Sequence, residues 1–237
     1  ALFTTDGDGD RPLLADEHGQ RLRGDILGLL CARELGIQAL AVPVSCNTAI
    51  EGCGAFAQVV RTRIGSPYVL AAMGALTEQN TQVAGFEANG GFLLASRLQK
   101  ETGYLEALPT RDALLPALTL LVAAAQQNKP LSALVDGLPL RFTASDRLKS
   151  FPTERSAALL SQWKNDLPAM QKALGLEASI IHVDSTDGLR VTLTTGDVVH
   201  LRPSGNAPEL RCYAEAGTSE QAAEVAKKSL AACAHFL

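Results

Sequence analysis

Ala39-Leu40-Ala41-Val42-Pro43-Val44 is an unbroken apolar run. A strand with one face in water alternates apolar and polar side chains, so a run without alternation predicts a parallel strand covered on both faces. Such a strand needs helices above and below it, and the residues that follow supply them. Ser45-Cys46-Asn47-Thr48 reads as a loop, residues 49–60 as a helix, Gln58-Val59-Val60-Arg61-Thr62 as a second strand, residues 67–77 as a helix and Gln82-Val83-Ala84-Gly85-Phe86 as a third strand. Thr110 is placed to cap a long helix over residues 111–127. Its Pro116 predicts a kink, and apolar residues lying nearly all round it predict full burial. The expectation is a three-layer α/β/α domain over residues 38–137.

Downstream the pattern changes to α+β. Ile180-Ile181-His182-Val183-Asp184, Leu189-Arg190-Val191-Thr192-Leu193, Val198-Val199-His200-Leu201 and Leu210-Arg211-Cys212-Tyr213 read as four strands. Turns at Thr186-Asp187-Gly188 and Thr195-Gly196-Asp197 are short enough to make neighbours antiparallel. Thr218 opens a closing helix, with Gln221 in place to complete a capping box. Upstream, Leu13 to Asp16 and Gln20 to Leu22 flank a turn at Glu17-His18-Gly19. A helix then starts near Asp25, places Ile26, Leu27, Leu30, Cys31 and Leu35 at helical spacing and ends at Gly36. Residues 1–37 are read as the tail of a domain whose earlier part lies outside this chain, and residues 138–237 as a separate α+β domain.

Composition narrows the function. The chain has 237 residues, 46% of them hydrophobic, and a mean hydropathy of +0.09, the profile of a soluble globular protein. A net charge of −4 with a pI near 5.6 argues against nucleic acid or an anionic membrane as a partner, both of which want a basic face. The longest apolar run, Leu114 to Ala125, is interrupted by Pro116 and Thr119 and is too short to span a bilayer. Cys31, Cys46, Cys53, Cys212 and Cys233 are odd in number and lack zinc or thioredoxin spacing, which reads as reduced core thiols in a cytoplasmic protein. The first residue is alanine with no basic-then-apolar leader, and a trimmed chain is the expectation.

Chemistry concentrates in Thr4-Thr5-Asp6-Gly7-Asp8-Gly9-Asp10-Arg11. Alternate residues of an extended segment point the same way, so Asp6, Asp8 and Asp10 can converge on one cation while Gly7 and Gly9 let the backbone curl round it. Oxygen ligands without histidine or cysteine favour Mg²⁺ or Ca²⁺. Asp6, Asp8, Asp10 and Glu17 also match positions of a calcium-binding hand, but Arg11 stands where that loop needs glycine and Pro12 follows. Arg202, Ser204, Gly205 and Asn206 lie between two predicted strands. From the residues alone they are either an anion site, with Arg fork, hydroxyl and backbone N–H donors, or a polar hairpin loop. Glu87 and Asn89 stand between glycines at a strand end, spaced to face one ligand, and a helix cap at Asn89 is the alternative. Arg211 is either a second cation or an edge-strand charge.

Asp6 to Arg11 resembles the metal loop of the α-D-phosphohexomutase superfamily, which includes phosphomannomutases, phosphoglucomutases and phosphoglucosamine mutases. Gly85-Phe86-Glu87-Ala88-Asn89-Gly90-Gly91 is similar to that family's sugar-specificity loop, and Arg202-Pro203-Ser204-Gly205-Asn206-Ala207-Pro208-Glu209 to its phosphate-binding loop. Arg61 to Ser66 resembles, more weakly, a further substrate-facing loop. The resemblance implies that the chain opens inside the second of four domains, because no Ser-His-Asn-Pro-like stretch for the phosphorylated serine is present. It implies a TATA-binding-protein-like fold for the last domain. It also implies Mg²⁺ on Asp6, Asp8 and Asp10, Arg11 against a phosphoryl group, Glu87 and Asn89 on the sugar, and Arg202, Ser204, Gly205 and Asn206 on its phosphate.

The implied reaction interconverts hexose 6-phosphate and hexose 1-phosphate through a phosphoserine and a 1,6-bisphosphate. Mannose is the first expectation for the hexose and glucose the second, and the missing phosphoserine domain is the partner. This chain alone is expected to be inactive. Many relatives end the sugar loop in histidine where Gly91 stands here, so the resemblance does not supply the acid/base. Phosphoglucosamine mutase is the alternative inside the family, although its usual Gln-Ser-Gly-His after the glutamate is absent. A non-catalytic module for sugar phosphate or a divalent ion is the alternative outside it.

Overall fold

The computed structural model describes residues 1–101 and 103–236 and divides into two compact units, Ala1–Pro139 and Leu140–Leu237. In the first, β1 (Leu2–Thr5), β2 (Pro12–Ala15) and β3 (Arg21–Leu22) form a small antiparallel meander. Leu14 anchors it in the main core, fully buried. Helix α1 (Gly24–Leu35) follows, closed by Gly36 at φ 76°. Asp25 lies in its first turn. It is fully buried and accepts from the Ile26 and Asn47 N–H groups at 3.1 and 3.0 Å, which ties the helix to the loop beyond the next strand.

That strand, β4 (Ala39–Pro43), is buried at every residue. The chain continues through α2 (Ala49–Gly52), β5 (Gln58–Thr62), α3 (Ser66–Thr77), β6 (Val83–Phe86), β7 (Phe92–Leu94), the hairpin strands β8 (Leu98–Lys100) and β9 (Gly103–Leu105), β10 (Leu108–Asp112) and α4 (Leu114–Gln127). The sheet order is β10-β7-β6-β4-β5, with β4 parallel to both neighbours and β7 and β10 antiparallel. Leu40 and Val42 face α1 and α4, while Ala39 and Ala41 pack with Val69, Met73 and Leu76 of α3. Helices therefore cover both faces, the three layers read from the apolar run. Burial of Phe86, Phe92, Leu40 and their neighbours drives the assembly, each contributing about 1.5–3 kcal/mol.

Several expectations need correction. The break expected at residues 37/38 falls inside one unit, because Leu27, Leu30 and Leu35 of α1 share a core with Leu40 and Leu120. The helix expected over 49–60 is α2 alone. Gly52 and Gly54, the latter at φ 65°, end it, and Gln58 onward is strand. The long helix expected from 111 begins at Leu114, because residues 108–112 extend as β10 and Asp112 Oδ1 accepts from the Leu114 and Leu115 N–H groups at 2.7 and 3.2 Å. Pro116 then falls in the first turn, where no intrahelical donor is needed, so the reason to expect a kink is gone. Nor is α4 buried all round: Ala117, Leu120 and Ala123 are buried, whereas Leu114, Leu118, Leu121 and Val122 are exposed.

The second unit opens on β11 (Phe142–Lys149), followed by α5 (Thr153–Asn165), α6 (Leu167–Leu174), β12 (Ile180–Asp184), β13 (Leu189–Leu193), β14 (Val198–Pro203), β15 (Glu209–Ala216) and α7 (Ser219–Ala234). All strands are antiparallel, in the order β11-β15-β14-β13-β12, and α5, α6 and α7 share one core with the face that carries Val191, Leu201 and Cys212. Gly188 and Gly196 take φ of 86° and 83° in the two expected turns. Thr218 Oγ1 accepts from the Gln221 N–H at 3.2 Å, the first half of the capping box. Sequence reading missed β11, α5 and α6. The other face of this sheet is polar. Arg147, Arg211 and Arg202 stand opposite one another on β11, β15 and β14, so Arg211 is in an interior strand and not at an edge.

None of the five cysteines is in a disulfide, and burial pushes the Cys31 and Cys212 thiols up to about 12. No helix among the described residues is long and apolar enough to cross a membrane.

Candidate active site

Asp6 follows β1 and Arg11 precedes β2, so the acidic loop is the connection of a hairpin in which Thr5 opposes Pro12. The Asp6 N–H donates to the Arg11 carbonyl at 3.2 Å and the Gly9 N–H to the Asp6 carbonyl at 3.1 Å, with Gly9 at φ 79°. This turn brings one oxygen from each of Asp6, Asp8 and Asp10 within 4.8 Å of one another. Arg11 Nε lies against Asp6 Oδ2 and 3.3 Å from Asp10 Oδ1, and Arg11 Nη2 lies 3.6 Å from Asp8 Oδ1. Desolvation pushes the Asp6 carboxyl up, but the Arg11 N–H, the Asp8 side chain and the Arg11 charge outweigh it and hold the group below the ordinary carboxylate value.

The loop therefore gathers ionised oxygens round one cationic group. An all-oxygen set of this kind fits a hard divalent ion such as Mg²⁺, and Asp6 Oδ2, buried and accepting no hydrogen bond of good geometry, is held by the Arg11 ion pair alone. Glu17 does not join the set. It accepts from Ser132, at 3.3 Å from the N–H and also from the hydroxyl, which removes the last position of the calcium-hand pattern.

The loop expected to recognise the sugar lies beside the acidic loop. Glu87 follows β6 and is buried. Its N–H donates to the Gly91 carbonyl at 3.2 Å, and its carbonyl accepts from Gly90 at 2.9 Å. Asn89 caps no helix; its Oδ1 accepts from the Gly91 N–H at 3.0 Å and so closes the loop on itself. A Cβ on Gly90 would lie 3.0 Å from Pro12 Cγ and 3.2 Å from Gly24 Cα, and one on Gly24 would lie 2.3 Å from Gly90 N. The start of β2, the start of α1 and the Glu87 to Gly91 loop thus meet where glycines remove the side chains.

Arg111, on β10, was missed by sequence reading. Its Nη2 lies 2.6 Å from Asp10 Oδ2 and its Nη1 3.6 Å from Glu87 Oε2. The available signal was that Arg111 and Asp112 are the only charges between Glu106 and Lys129. Arg61, in the loop of weaker resemblance, has a structural job. Its guanidinium donates to the carbonyls of Pro43, Cys46 and Asn47 at 3.1, 2.7 and 3.1 Å and pairs with Glu51 at 2.6 Å.

In the second unit the third loop joins β14 to β15. Ser204 is buried, its N–H donating to the Glu209 carbonyl at 2.8 Å, while Gly205 and Asn206 are exposed. Ser204 Oγ accepts from the Asn206 N–H at 3.4 Å, which leaves its own proton to donate. Arg202 Nε is committed to Asp187 Oδ2 at 2.8 Å. Arg211 and Arg147 share Glu209 at 3.4 and 3.3 Å, and a cleft of about 390 Å³ is lined by Ser145, Asp146, Arg147, Arg211 and Tyr213.

Beneath Arg202, His200 is almost fully buried, stacks on Tyr213 and donates from Nε2 to the Asp187 carbonyl at 2.5 Å. Burial pushes its imidazole down to about 4. An unfolded chain takes up the proton near 6.5, so stability from the neutral ring is present above that pH and is lost as pH falls toward 4. The second unit should lose about 1.4 kcal/mol per pH unit between roughly pH 6.5 and 5, and His200→Gln should flatten that slope. Urea titrations followed by Trp163, the only tryptophan and buried in this unit, provide the measurement. Equal slopes in both proteins would show that His200 does not set the dependence.

Residues 23–142 match the family model for the phosphoglucomutase/phosphomannomutase alpha/beta/alpha domain III, and residues 155–232 match that for the phosphoglucomutase/phosphomannomutase C-terminal domain. The chain belongs to this phosphohexomutase family. It is 51% identical over 231 residues to a phosphomannomutase of Salmonella muenchen, a match covering 97% of this chain and 48% of the relative. It is 43% identical over 232 residues to a phosphomannomutase of Sinorhizobium fredii, covering 98% and 49%. The chain spans about half the length of the curated relatives it matches. Among solved structures, an Aspergillus fumigatus N-acetylphosphoglucosamine mutase in complex with GlcNAc-6P and magnesium aligns with a TM-score of 0.66 at 15% identity, covering 99% of this chain and 48% of that one. In this chain the acidic loop lies ahead of the first matched domain.

Proposed function

We propose that this chain is the metal-, sugar- and phosphate-binding half of a cytoplasmic phosphohexomutase that interconverts the 1- and 6-phosphates of mannose, with glucose as a second substrate. The observation that carries the reading is the packing of the Asp6, Asp8 and Asp10 loop against the Glu87 to Gly91 loop through Pro12, Gly24 and Gly90. The convergent carboxylates and the polar loop thereby lie side by side in one unit, which supports a cation and a sugar bound next to each other. Mg²⁺ held by the three aspartates would neutralise charge on a transferring phosphoryl group.

This chain's own residues do the rest. Arg11 offers a guanidinium to the same phosphoryl group, and Glu87 accepts from ring hydroxyls in either orientation of the sugar. Asn89, its oxygen closing the loop, contributes its amide nitrogen as donor. Arg202, Ser204, Gly205 and Asn206 grip the phosphate that is not reacting. The likeness to the Salmonella muenchen and Sinorhizobium fredii phosphomannomutases supports mannose over glucosamine as the sugar here.

The phosphoryl donor is assigned to a serine outside these residues, so the 237-residue chain should show no mutase turnover, even with mannose 1,6-bisphosphate added. It should nevertheless bind mannose 6-phosphate through the loop in its second unit, weakly and in a salt-sensitive way, with movement of the Gly205 amide signal as the readout. Turnover by the chain alone would mean that a donor lies within it. Absence of any phosphate-dependent shift would remove the phosphate loop from the assignment. Restored turnover on rejoining a phosphoserine-bearing half separates a mutase from a binding module.

A further inference from the structure

One guanidinium touches both working loops of the first unit. Asp10 presents two oxygens to two different cations: Oδ1 lies 3.3 Å from Arg11 Nε, on the side where Asp6 and Asp8 also converge, and Oδ2 lies 2.6 Å from Arg111 Nη2. Arg111 therefore takes one carboxylate oxygen and leaves the other on the Arg11 side of the loop. Its second terminal nitrogen lies 3.6 Å from Oε2 of the buried Glu87. A planar fork with fixed spacing between its nitrogens transmits a displacement of one carboxylate to the other, which a single ammonium cannot do.

The backbone makes room for this arrangement. A Cβ on Gly91 would lie 2.9, 3.0 and 3.3 Å from Cδ, Cγ and Cβ of Arg111, so the aliphatic stem lies directly on the glycine. Gly91 lies outside the positive-φ set, hence its lack of a side chain serves space and not backbone conformation. Position 91 and Arg111 thus form one unit in which the glycine is the floor and the arginine the strut. Arg111 itself is set by β10, whose register with β7 places Asp112 opposite Phe92.

We propose that Arg111 is a positioning residue that couples the metal loop to the sugar loop, fixing Asp10 as a one-oxygen ligand and holding Glu87 in register with it. The proposal rests on the functional reading of the two loops given above, and it adds the residue that makes them one site. A guanidinium does not give up its proton near neutral pH, so the role is alignment and charge, not proton transfer. Losing an orienting partner of a metal ligand lowers metal affinity by about tenfold or more.

The test uses the 237-residue chain, amide spectra and Mn²⁺ as probe. Glu87→Gln should move the Gly7 and Gly9 amide signals in the wild-type background, although Glu87 is not in that loop, and should leave them unmoved in Arg111→Ala. Half-broadening of the same amides by Mn²⁺ should need about tenfold more ion in Arg111→Ala. Arg111→Lys should restore Mn²⁺ affinity in part, through Asp10, without restoring transmission from Glu87. Gly91→Ala keeps the arginine but pushes its stem aside, so it should reproduce both losses and carries the test if Arg111→Ala fails to fold.

Transmission and affinity both unchanged in Arg111→Ala and Gly91→Ala would overturn the proposal while leaving the metal assignment intact. Wild-type chain that shows no Mn²⁺ broadening, yet loses transmission on Arg111→Ala, would remove the metal assignment and keep the strut.

Discussion

Asp8→Asn should separate metal binding from folding. Asp8 is the most exposed of the three aspartates, with 64% of its side chain accessible against 29% for Asp6 and 21% for Asp10, and its contact with Arg11 is the longest at 3.6 Å. An exposed pair of that kind contributes little to stability, so the thermal midpoint should barely move. The ion, by contrast, loses one of three anionic ligands and half of the alternation that lets the loop surround it. Mn²⁺ binding by the chain should weaken by at least about tenfold. Turnover of the rejoined two-half enzyme at limiting Mg²⁺ should fall by roughly a hundredfold, the scale on which a single electrostatic partner acts in such transition states. A large drop in stability with metal affinity preserved would show that Asp8 holds the hairpin and not an ion.

Gly24→Ala is the second large effect. Replacing glycine by alanine inside a helix ordinarily stabilises by about 1 kcal/mol. At Gly24 the added carbon would lie 2.3 Å from Gly90 N, 2.4 Å from Asn89 C and 2.6 Å from Ala88 O, all backbone atoms that cannot swing away. Either α1 shifts at its first turn or the sugar loop is driven outward, at a cost of about 1–3 kcal/mol. Outward movement carries Glu87 and Asn89 with it, and misplacement by about 1 Å can cost a hundredfold in rate. The internal comparison is Gly74, exposed in α3 with nothing within 4 Å of its added carbon. Gly74→Ala should raise the thermal midpoint, while Gly24→Ala should lower it and weaken sugar-phosphate binding. Identical behaviour of the two would mean that the loop has slack that the packing does not suggest.

Features decided by nearby residues were legible in the sequence. The β4 run specifies cover on both faces through its own composition, and the acidic loop specifies its convergence through alternation within a few residues. β11 was missed because the edge strand of a sheet with one polar face needs little apolar content, and Phe142 to Lys149 carries charges that protect such an edge. Thr110-Arg111-Asp112 was misread because a threonine before an apolar run has the signature of a helix cap, whereas pairing of β10 with β7 holds these residues extended and moves the cap to Asp112. Arg111 itself was invisible for the same reason: its partners Asp10 and Glu87 are brought to it only by the sheet.

The sheet of the first unit is not symmetric between its two faces. Leu40, Val42 and Phe86 fill the side toward α1 and α4, while the side toward α3 is floored by Ala39, Ala41 and Gly85, where an added carbon would lie 2.5 Å from Val69 Cγ1 and 2.8 Å from the Ala41 carbonyl. At β4 and Gly85 the first face is thick with side chains and the second is thin, while Val83 and Leu93 fill the flank of the second. Sequence drift is therefore constrained in opposite directions on the two sides: the thick face is damaged by substitutions that remove volume, and the thin face by those that add it. Across relatives, size at β4 should accordingly vary downward only at odd cost on one face and upward only with a compensating retreat of α3 on the other, so that position 85 and residues 69 and 73 change together or not at all.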